Sequence, residues 1–307
     1  MWVVLAVILV FHVLGFISSI HAVMSTRTAQ GAVAWAVSLN TVPYVAVPAY
    51  WVLGRSRFEG YVDARQEGDH EIRHLALKAR EQTMHVRSNR ASESQDAYVA
   101  EQIAKIPYLQ GNEVELLVDG QETFDSIFTG IDSARDYILV QFFIVKDDDL
   151  GRQLHKRLLA KAQEGVKVYF LYDEVGSNSL PKGYIAELRD AGVEIFDFHT
   201  RKGPGNRFQI NFRNHRKIVV VDGHTAWVGG HNVGDEYMGR DPEFGRWRDT
   251  HMRITGPAAL AVQLSFFEDW HWATDRAPEF EWTPQVTDGE GVDVLICPTG
   301  PADPLES

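Results

Sequence analysis

The stretch "FRNHRKIVVVDGHTAWVGGHN", residues 212–232, combines two apolar runs with a set of polar side chains at their ends. The runs "KIVVVD" (217–222) and "TAWVGG" (225–230) are joined at the pair Asp222-Gly223, which predicts two strands connected by a tight turn. His215 and Lys217 are two positions apart, so on a strand their side chains would point to the same face. The stretch therefore predicts a β-hairpin that carries an imidazole beside an ammonium.

An imidazole beside an ammonium is suited to a phosphate group. The imidazole can attack phosphorus and form a covalent intermediate, while the ammonium offsets charge on the phosphate oxygens. Asp222 lies at the end of the first strand, where it either returns towards the site or fixes the local backbone. Gly229 and Gly230 allow close approach of the backbone, and Asn232 supplies an amide donor. The hairpin is therefore a candidate phosphate site.

The charge around this hairpin differs from the charge of the whole chain. Residues 201–217 contain six Lys or Arg and no Asp or Glu, whereas the chain of 307 residues has a formal net charge of −12. An acidic protein repels nucleic acid and anionic lipid at long range, so an anionic substrate must be recognised locally. The basic segment therefore favours local phosphate recognition, whereas the acidic balance of the whole chain argues against nucleic acid as a partner.

The other metal-ligating and nucleophilic side chains indicate no further site. Cys297 is the one cysteine, which excludes an intrachain disulfide and a Cys-rich metal site. Three histidines between residues 59 and 104 lack a close set of companion ligands, and two in the hairpin are predicted to lie in loops or at the surface. The first group is His70, His74 and His85, and the second is His224 and His231. We expect no metal and no cofactor.

Strands and helices alternate along residues 111–290. Apolar runs such as "DYILVQFFIV" and "VKVYFLYD" predict buried strands, and "DLGRQLHKRLLAKAQE" between them has apolar residues at helical spacing. Further helices are predicted at 121–135, at 181–191 and from about 257 to 272. This alternation predicts an α/β fold with a mostly parallel or mixed sheet.

The N-terminus has two apolar runs, residues 2–23 and 31–53, that contain no Asp, Glu, Lys or Arg. At about 1.5 Å per residue, each is long enough to cross a hydrocarbon core roughly 30 Å thick, which predicts a two-helix membrane hairpin. A cleaved signal peptide and a buried core hairpin are the alternatives. Arg27 alone lies between the runs, whereas Arg55 and Arg57 follow them, so both termini are predicted to be cytoplasmic.

Four segments follow from these patterns. Residues 1–58 form the membrane hairpin, 59–110 a polar and partly helical linker, 111–290 the α/β domain, and 291–307 the beginning of a second half.

The motif resembles the signature of the phospholipase D superfamily, H-x-K-x4-D followed by Gly-Gly and Asn. Other stretches, among them "ILVQFFIVKDDDLG", "FLYDEVGSNSL" and "WRDTHMRITGPAA", are similar to the bacterial cardiolipin synthases. The resemblance extends from the N-terminus to about Trp272. It implies a phospholipase D-like α/β sandwich half-domain preceded by a transmembrane hairpin, in a multi-pass protein of the bacterial inner membrane with its catalytic domain in the cytoplasm.

The resemblance also implies a reaction and a set of roles. Synthases of this kind join two phosphatidylglycerol molecules and release glycerol through a phosphohistidine intermediate, without a metal. His215 is then the nucleophile or its acid/base partner, Lys217 and Asn232 hold the phosphate, and Asp222 completes the catalytic motif in a structural role. A carboxylate orients the histidine in this family, and the candidates here are Asp249 and then Glu243.

The resembling synthases carry two such motifs, and this sequence contains one. Three hypotheses accommodate the difference. The chain is a fragment of a two-motif synthase, or it is a single-motif phosphodiesterase whose homodimer supplies the second His-Lys set, or it is an inactive membrane-anchored half-domain. The two enzymatic hypotheses share a membrane setting and an anionic phospholipid, phosphatidylglycerol, as the partner.

Overall fold

The computed structural model describes residues 2–26, 28–54, 77–198, 213–289 and 291–299. The chain divides into an N-terminal unit, which contains residues 2–54, and a larger unit that holds the rest of the regular structure. Each unit has its own buried core.

The N-terminal unit consists of three helices, α1 (Trp2–Ser25), α2 (Ala29–Thr41) and α3 (Pro43–Leu53). In the described part of the chain, α1 is the one helix long and apolar enough to cross a membrane. The predicted single helix over residues 31–53 is wrong, because Val42 leaves the helical conformation (φ −133°, ψ 55°) ahead of Pro43. Proline disfavours helical geometry in the residue before it, so the second apolar run forms two helices.

The larger unit is built on one eight-stranded sheet in the order β4-β3-β2-β5-β6-β7-β1-β8. The strands β2, β3 and β4 are parallel and the other neighbouring pairs are antiparallel, which confirms the predicted α/β class with a mixed sheet. The strands are β1 (Leu109–Val118), β2 (Tyr137–Phe142), β3 (Lys167–Asp173), β4 (Glu194–Phe198), β5 (Ile218–Val221), β6 (Thr225–Gly229), β7 (Thr250–Thr255) and β8 (Val292–Val294).

Helices cover both faces of this sheet. The larger unit contains the helices α4 (Arg90–Glu93), α5 (Gln95–Ala104), α6 (Asp119–Ser133), α7 (Asp149–Gln163), α8 (Lys182–Asp190) and α9 (Ala259–Thr274), of which α6 to α9 pack on the sheet. Buried side chains of α6, α7 and α8 share one core with Val140 and Phe170. On the other face, the Trp270 ring of α9 meets the rings of Tyr169 and Phe196, with centroids 5.2 Å and 5.4 Å away. Successive residues of a strand face opposite sides, so this central part is a three-layer sandwich.

Both ends of the predicted α/β domain differ in detail from the sequence expectation. β1 begins at Leu109, inside the segment predicted as linker, and the Arg87 guanidinium of that segment pairs with the buried Glu101 at 2.7 Å. Within residues 291–307, predicted as the beginning of a second half, β8 pairs with β1 at the edge of this same sheet.

The topology brings five chain segments to one edge of the sheet. β2 and β3 end there, β6 ends there because it is antiparallel to β5, and β5 and β7 begin there. We call this the site edge and define it by the five residues at those strand ends, Phe143, Asp173, Lys217, Gly230 and Asp249.

Candidate active site

His215 and Lys217 meet at the site edge, although neither belongs to a strand. β5 begins at Ile218, so the prediction that the pair lies on a strand is wrong. β2 ends at Phe142, and residues 213–216 lie beyond the last paired position, where β2 offers them no partner. The expected proximity is nevertheless present. The imidazole stacks on the Phe143 ring with centroids 4.0 Å apart, and the Lys217 ammonium lies 5.4 Å from the same centroid.

The electrostatics of this pair favour a neutral imidazole. Burial lowers the pKa of His215, and the Lys217 ammonium lowers that pKa further, while the Asp173 carboxylate opposes both effects. Burial also lowers the pKa of Lys217 to about 8, against the carboxylates of Asp249 and Asp173. The ammonium donates to the carbonyl oxygen of His215 at 2.6 Å. An uncharged imidazole therefore lies beside a cation that is partly desolvated.

Asp173 is the residue of this site that sequence reasoning missed. It is 1% exposed at the end of β3. One carboxylate oxygen accepts hydrogen bonds from the amides of Val175 and Gly176, and the other accepts from the amide of Asn214 at 3.0 Å. Asp173 thereby ties the end of β3 to the segment that carries His215. Its signal in the sequence is an acidic residue at the end of a buried strand, "FLYD", followed by a turn.

The two predicted orienting carboxylates lie elsewhere around the edge. The charge of Asp249 acts on Lys217 and on His231 and His251, and the carboxylate whose charge acts on the His215 imidazole is Asp173. Glu243 is exposed, and its backbone amide donates to Asp241. Among the described residues no hydrogen bond joins either Asp249 or Glu243 to His215, so an orienting role for them stays a prediction.

Gly229 is the last residue of β6, and Gly230 and Asn232 follow it. The Asn232 carbonyl oxygen accepts from the amide of Ile144 at 3.1 Å, and its amide nitrogen donates to the hydroxyl of Tyr237 at 3.1 Å. A Cβ on Gly229 would clash with the His251 ring, and one on Gly230 would clash with the carboxylate of Asp249. The close approach that requires glycine is thus made by side chains of this chain.

His231 and His224 were predicted to be surface or loop histidines; both lie outside the strands, but His231 is not at the surface. His231 is fully buried, with its Nδ1 3.2 Å from Nδ1 of the equally buried His251. Burial lowers the pKa of His251 to about 3 and also lowers that of His231. His224 is half-buried, and burial lowers its pKa. Alternation within the hairpin gave no sign of the His231 contact, because its partner comes from β7.

Asp222, for which the resemblance implies a structural role within the motif, lies at the opposite end of β5 from Lys217. Its carboxylate accepts hydrogen bonds from three consecutive amides at 2.8 to 2.9 Å, those of Arg135, Asp136 and Tyr137. Five residues of extended chain separate it from Lys217, which is roughly 16 Å at about 3.3 Å per residue. Asp222 therefore fixes the turn after β5 to the beginning of β2.

Three residues of the basic segment, Arg213, Arg216 and Lys217, are among the described residues. Arg216 forms an ion pair with the buried Asp269 at 2.8 Å, so this guanidinium is engaged beneath the site segment. The residues Arg201, Lys202 and Arg207, like His70 and His74, lie outside the described residues. Across the described ranges, no group of three or more His, Cys, Asp or Glu is arranged to hold a metal ion.

Comparison with known proteins identifies the kind of domain that contains this site. Residues 127–254 match the protein family described as "Cardiolipin synthase, PLD-like domain". These residues include the His215 segment, the β5–β6 hairpin and Asp249, which together form most of the site edge.

The resemblance to the bacterial cardiolipin synthases is confirmed over almost the whole chain. This chain is 48% identical to cardiolipin synthase A of Pseudomonas fluorescens strain SBW25 over 96% of the length of this chain. It is 47% identical to cardiolipin synthase A of Pseudomonas aeruginosa strain PAO1 over the same share. The chain spans about three fifths of the length of these relatives, 62% and 61%. Among solved structures, NucT from Helicobacter pylori is 17% identical, with a TM-score of 0.41 over 53% of this chain and 98% of NucT.

Proposed function

We propose that the site edge binds the phosphate of phosphatidylglycerol and transfers its phosphatidyl group to a second phosphatidylglycerol, forming cardiolipin and releasing glycerol. The observation that carries the proposal is the joint placement of His215 and Lys217 on the Phe143 ring. The relatives named cardiolipin synthase A indicate the lipid class.

In the proposed reaction His215 is the nucleophile, because its lowered pKa keeps the imidazole neutral. The imidazole nitrogen attacks phosphorus, the bond from phosphorus to the headgroup glycerol oxygen breaks, and glycerol leaves after gaining a proton. A headgroup hydroxyl of the second phosphatidylglycerol then attacks phosphorus and loses its proton, the bond from phosphorus to the His215 nitrogen breaks, and cardiolipin leaves a free imidazole behind. The Lys217 ammonium and an amide hydrogen of Asn232 stabilise the phosphate oxygens in both steps.

Both proton transfers need a group near the departing and attacking oxygens. His231 and His251 are unsuited to this task, since both are buried and their pKa values are lowered. We therefore assign the acid/base role to the histidine of a second His-Lys motif. Two sources fit: the further length of the longer synthases, or a second copy of this chain in a homodimer.

The membrane setting is proposed from α1, which is long and apolar enough to span a bilayer. We place α2 and α3 in the membrane as well, with both termini on the cytoplasmic side of the bacterial inner membrane. Cys297 is exposed and is the one cysteine, so it reports on this orientation. A membrane-impermeant maleimide should label it in inverted vesicles and leave it unlabelled in intact spheroplasts, and the reverse pattern would contradict the orientation.

The reaction is tested with the purified full chain in detergent and phosphatidylglycerol as the substrate. With a second copy of this chain as the source of the second His-Lys motif, we expect cardiolipin and glycerol in equal amounts, and His215→Ala should abolish both products. His85→Ala, which changes an exposed histidine outside the site, is the matched control and should retain activity. Cardiolipin formation by the His215→Ala variant at the wild-type rate would refute the proposal.

A further inference from the structure

Asp269 is a buried carboxylate that lies beneath the segment carrying His215. It is 2% exposed on α9, and one of its oxygens accepts three donors. These are the side-chain amide of Gln141 at 2.7 Å, the side-chain amide of Asn214 at 2.8 Å and the guanidinium of Arg216 at 2.8 Å. Two of the three donors are therefore the immediate neighbours of His215.

The segment around His215 lacks the usual means of fixing the direction of its side chains. In a strand, ladder hydrogen bonds fix which residues face each side, and residues 213–217 come before the first paired position of β5. Here side chains provide the constraint. The Asn214 oxygen accepts from the amide of Arg216 at 3.1 Å, while the Asn214 side-chain nitrogen is held by Asp269.

We propose that Asp269 is a positioning residue for His215: by holding Asn214 and Arg216 on the α9 side of the sheet, it keeps His215 and Lys217 on the Phe143 ring. The side chains of residues 214–217, which precede β5, then alternate between the two faces of the sheet although these residues have no strand partner. The catalytic part of this inference rests on the proposed function, whereas the positioning itself depends only on the contacts described.

A purely stabilising role explains these contacts less well. A buried ion pair contributes little net stability, because the cost of desolvation roughly offsets the attraction, and apolar residues of similar volume often serve as well. Such a pair can instead specify one arrangement of the chain. Asp269 binds both neighbours of the proposed nucleophile, which is where a specific arrangement has a consequence for chemistry.

The test is the titration of the His215 imidazole in the full chain, followed by NMR of 13C-labelled histidine in detergent, with His215→Gln to identify the signal. We expect Asp269→Asn to raise the pKa of His215, since the ring leaves Phe143 and the Lys217 ammonium for water. Loss of a nearby negative charge would by itself lower that pKa. A rise in the pKa of His215 would therefore indicate displacement of the ring, because loss of the Asp269 charge would lower this pKa.

A second variant separates positioning from folding. Asn214→Ala removes the link to Asp269 and leaves the pair between Asp269 and Arg216 in place, so it should also raise the pKa of His215. Asp190→Asn, an exposed change at the end of α8, is the matched control and should leave the pKa unchanged. An unchanged or lowered pKa of His215 in a folded Asp269→Asn or Asn214→Ala variant would overturn the proposal.

Kinetics then connect positioning to the proposed reaction. With phosphatidylglycerol, Asp269→Asn should lower kcat per folded molecule by roughly 100-fold and leave KM nearly unchanged, because Asp269 positions the nucleophile without touching the lipid. A wild-type chain without activity would contradict the proposed function alone, since the titration needs no substrate. If total turnover fell only as much as the folded fraction, the role of Asp269 would be structural, and this result would overturn the positioning.

Discussion

Replacing Asp222 by asparagine should reduce stability without reducing the activity of the molecules that remain folded. The substituted amide can keep the two hydrogen bonds that Oδ1 accepts from Asp136 and Tyr137, at 2.8 Å and 2.9 Å. It turns an NH2 group towards the Arg135 amide, which now donates to Oδ2 at 2.9 Å. A hydrogen bond to a charged group contributes about 1.5–3 kcal/mol, and the site is partly exposed, so we expect a loss of about 2 kcal/mol.

Urea unfolding of the full chain in detergent, followed by circular dichroism, measures this loss. A loss of about 2 kcal/mol corresponds to a decrease in Tm of roughly 4–8 °C for a domain of this size. Asp136→Asn is the control. It removes an exposed carboxylate from the segment before β2 that Asp222 binds, and it should leave the stability within about 0.5 kcal/mol of wild type. Wild-type stability combined with lost turnover in Asp222→Asn would refute the structural assignment of Asp222.

Three further predictions concern the site edge. The kcat/KM for phosphatidylglycerol should fall above a pH of about 8 as Lys217 loses its proton, and Lys217→Arg should remove that fall from the pH profile. Phe143→Leu removes the ring beneath His215, a contact of about 1 kcal/mol, so steady-state assays should show kcat/KM roughly fivefold lower. Gly230→Ala should cost about 1–3 kcal/mol in thermal unfolding, whereas Gly183→Ala, whose Cβ meets nothing within 4 Å, should cost nothing.

Most of the fold was predictable from local patterns. The apolar strand runs and the helical spacing between them gave the elements of the sandwich to within a few residues, because each such element buries one or two faces. The break at Val42 was not predicted, although Pro43 was visible. A kinked membrane helix and two separate helices have the same apolar composition, so composition could not distinguish them.

The site was predictable only where its residues lie within one hairpin. His215, Lys217 and Asn232 are close in the chain, and their spacing indicated a phosphate site. Asp173 and Asp269 are 42 and 54 residues from His215 in the sequence. Asp173 reaches the site segment because the sheet brings distant strand ends together, and Asp269 reaches it from α9, which packs on the sheet. A buried carboxylate that binds backbone or side-chain donors leaves no periodic signal in one sequence.

In the proposed reaction His215 carries the phosphatidyl group between the two lipid molecules. This covalent intermediate can be detected by mass spectrometry of the full chain, quenched at alkaline pH during turnover of phosphatidylglycerol. We predict an acid-labile phosphatidyl adduct on the peptide that contains His215 and no adduct in His215→Asn. Cardiolipin formation with the adduct on another residue, or with an undiminished adduct in His215→Asn, would contradict the account.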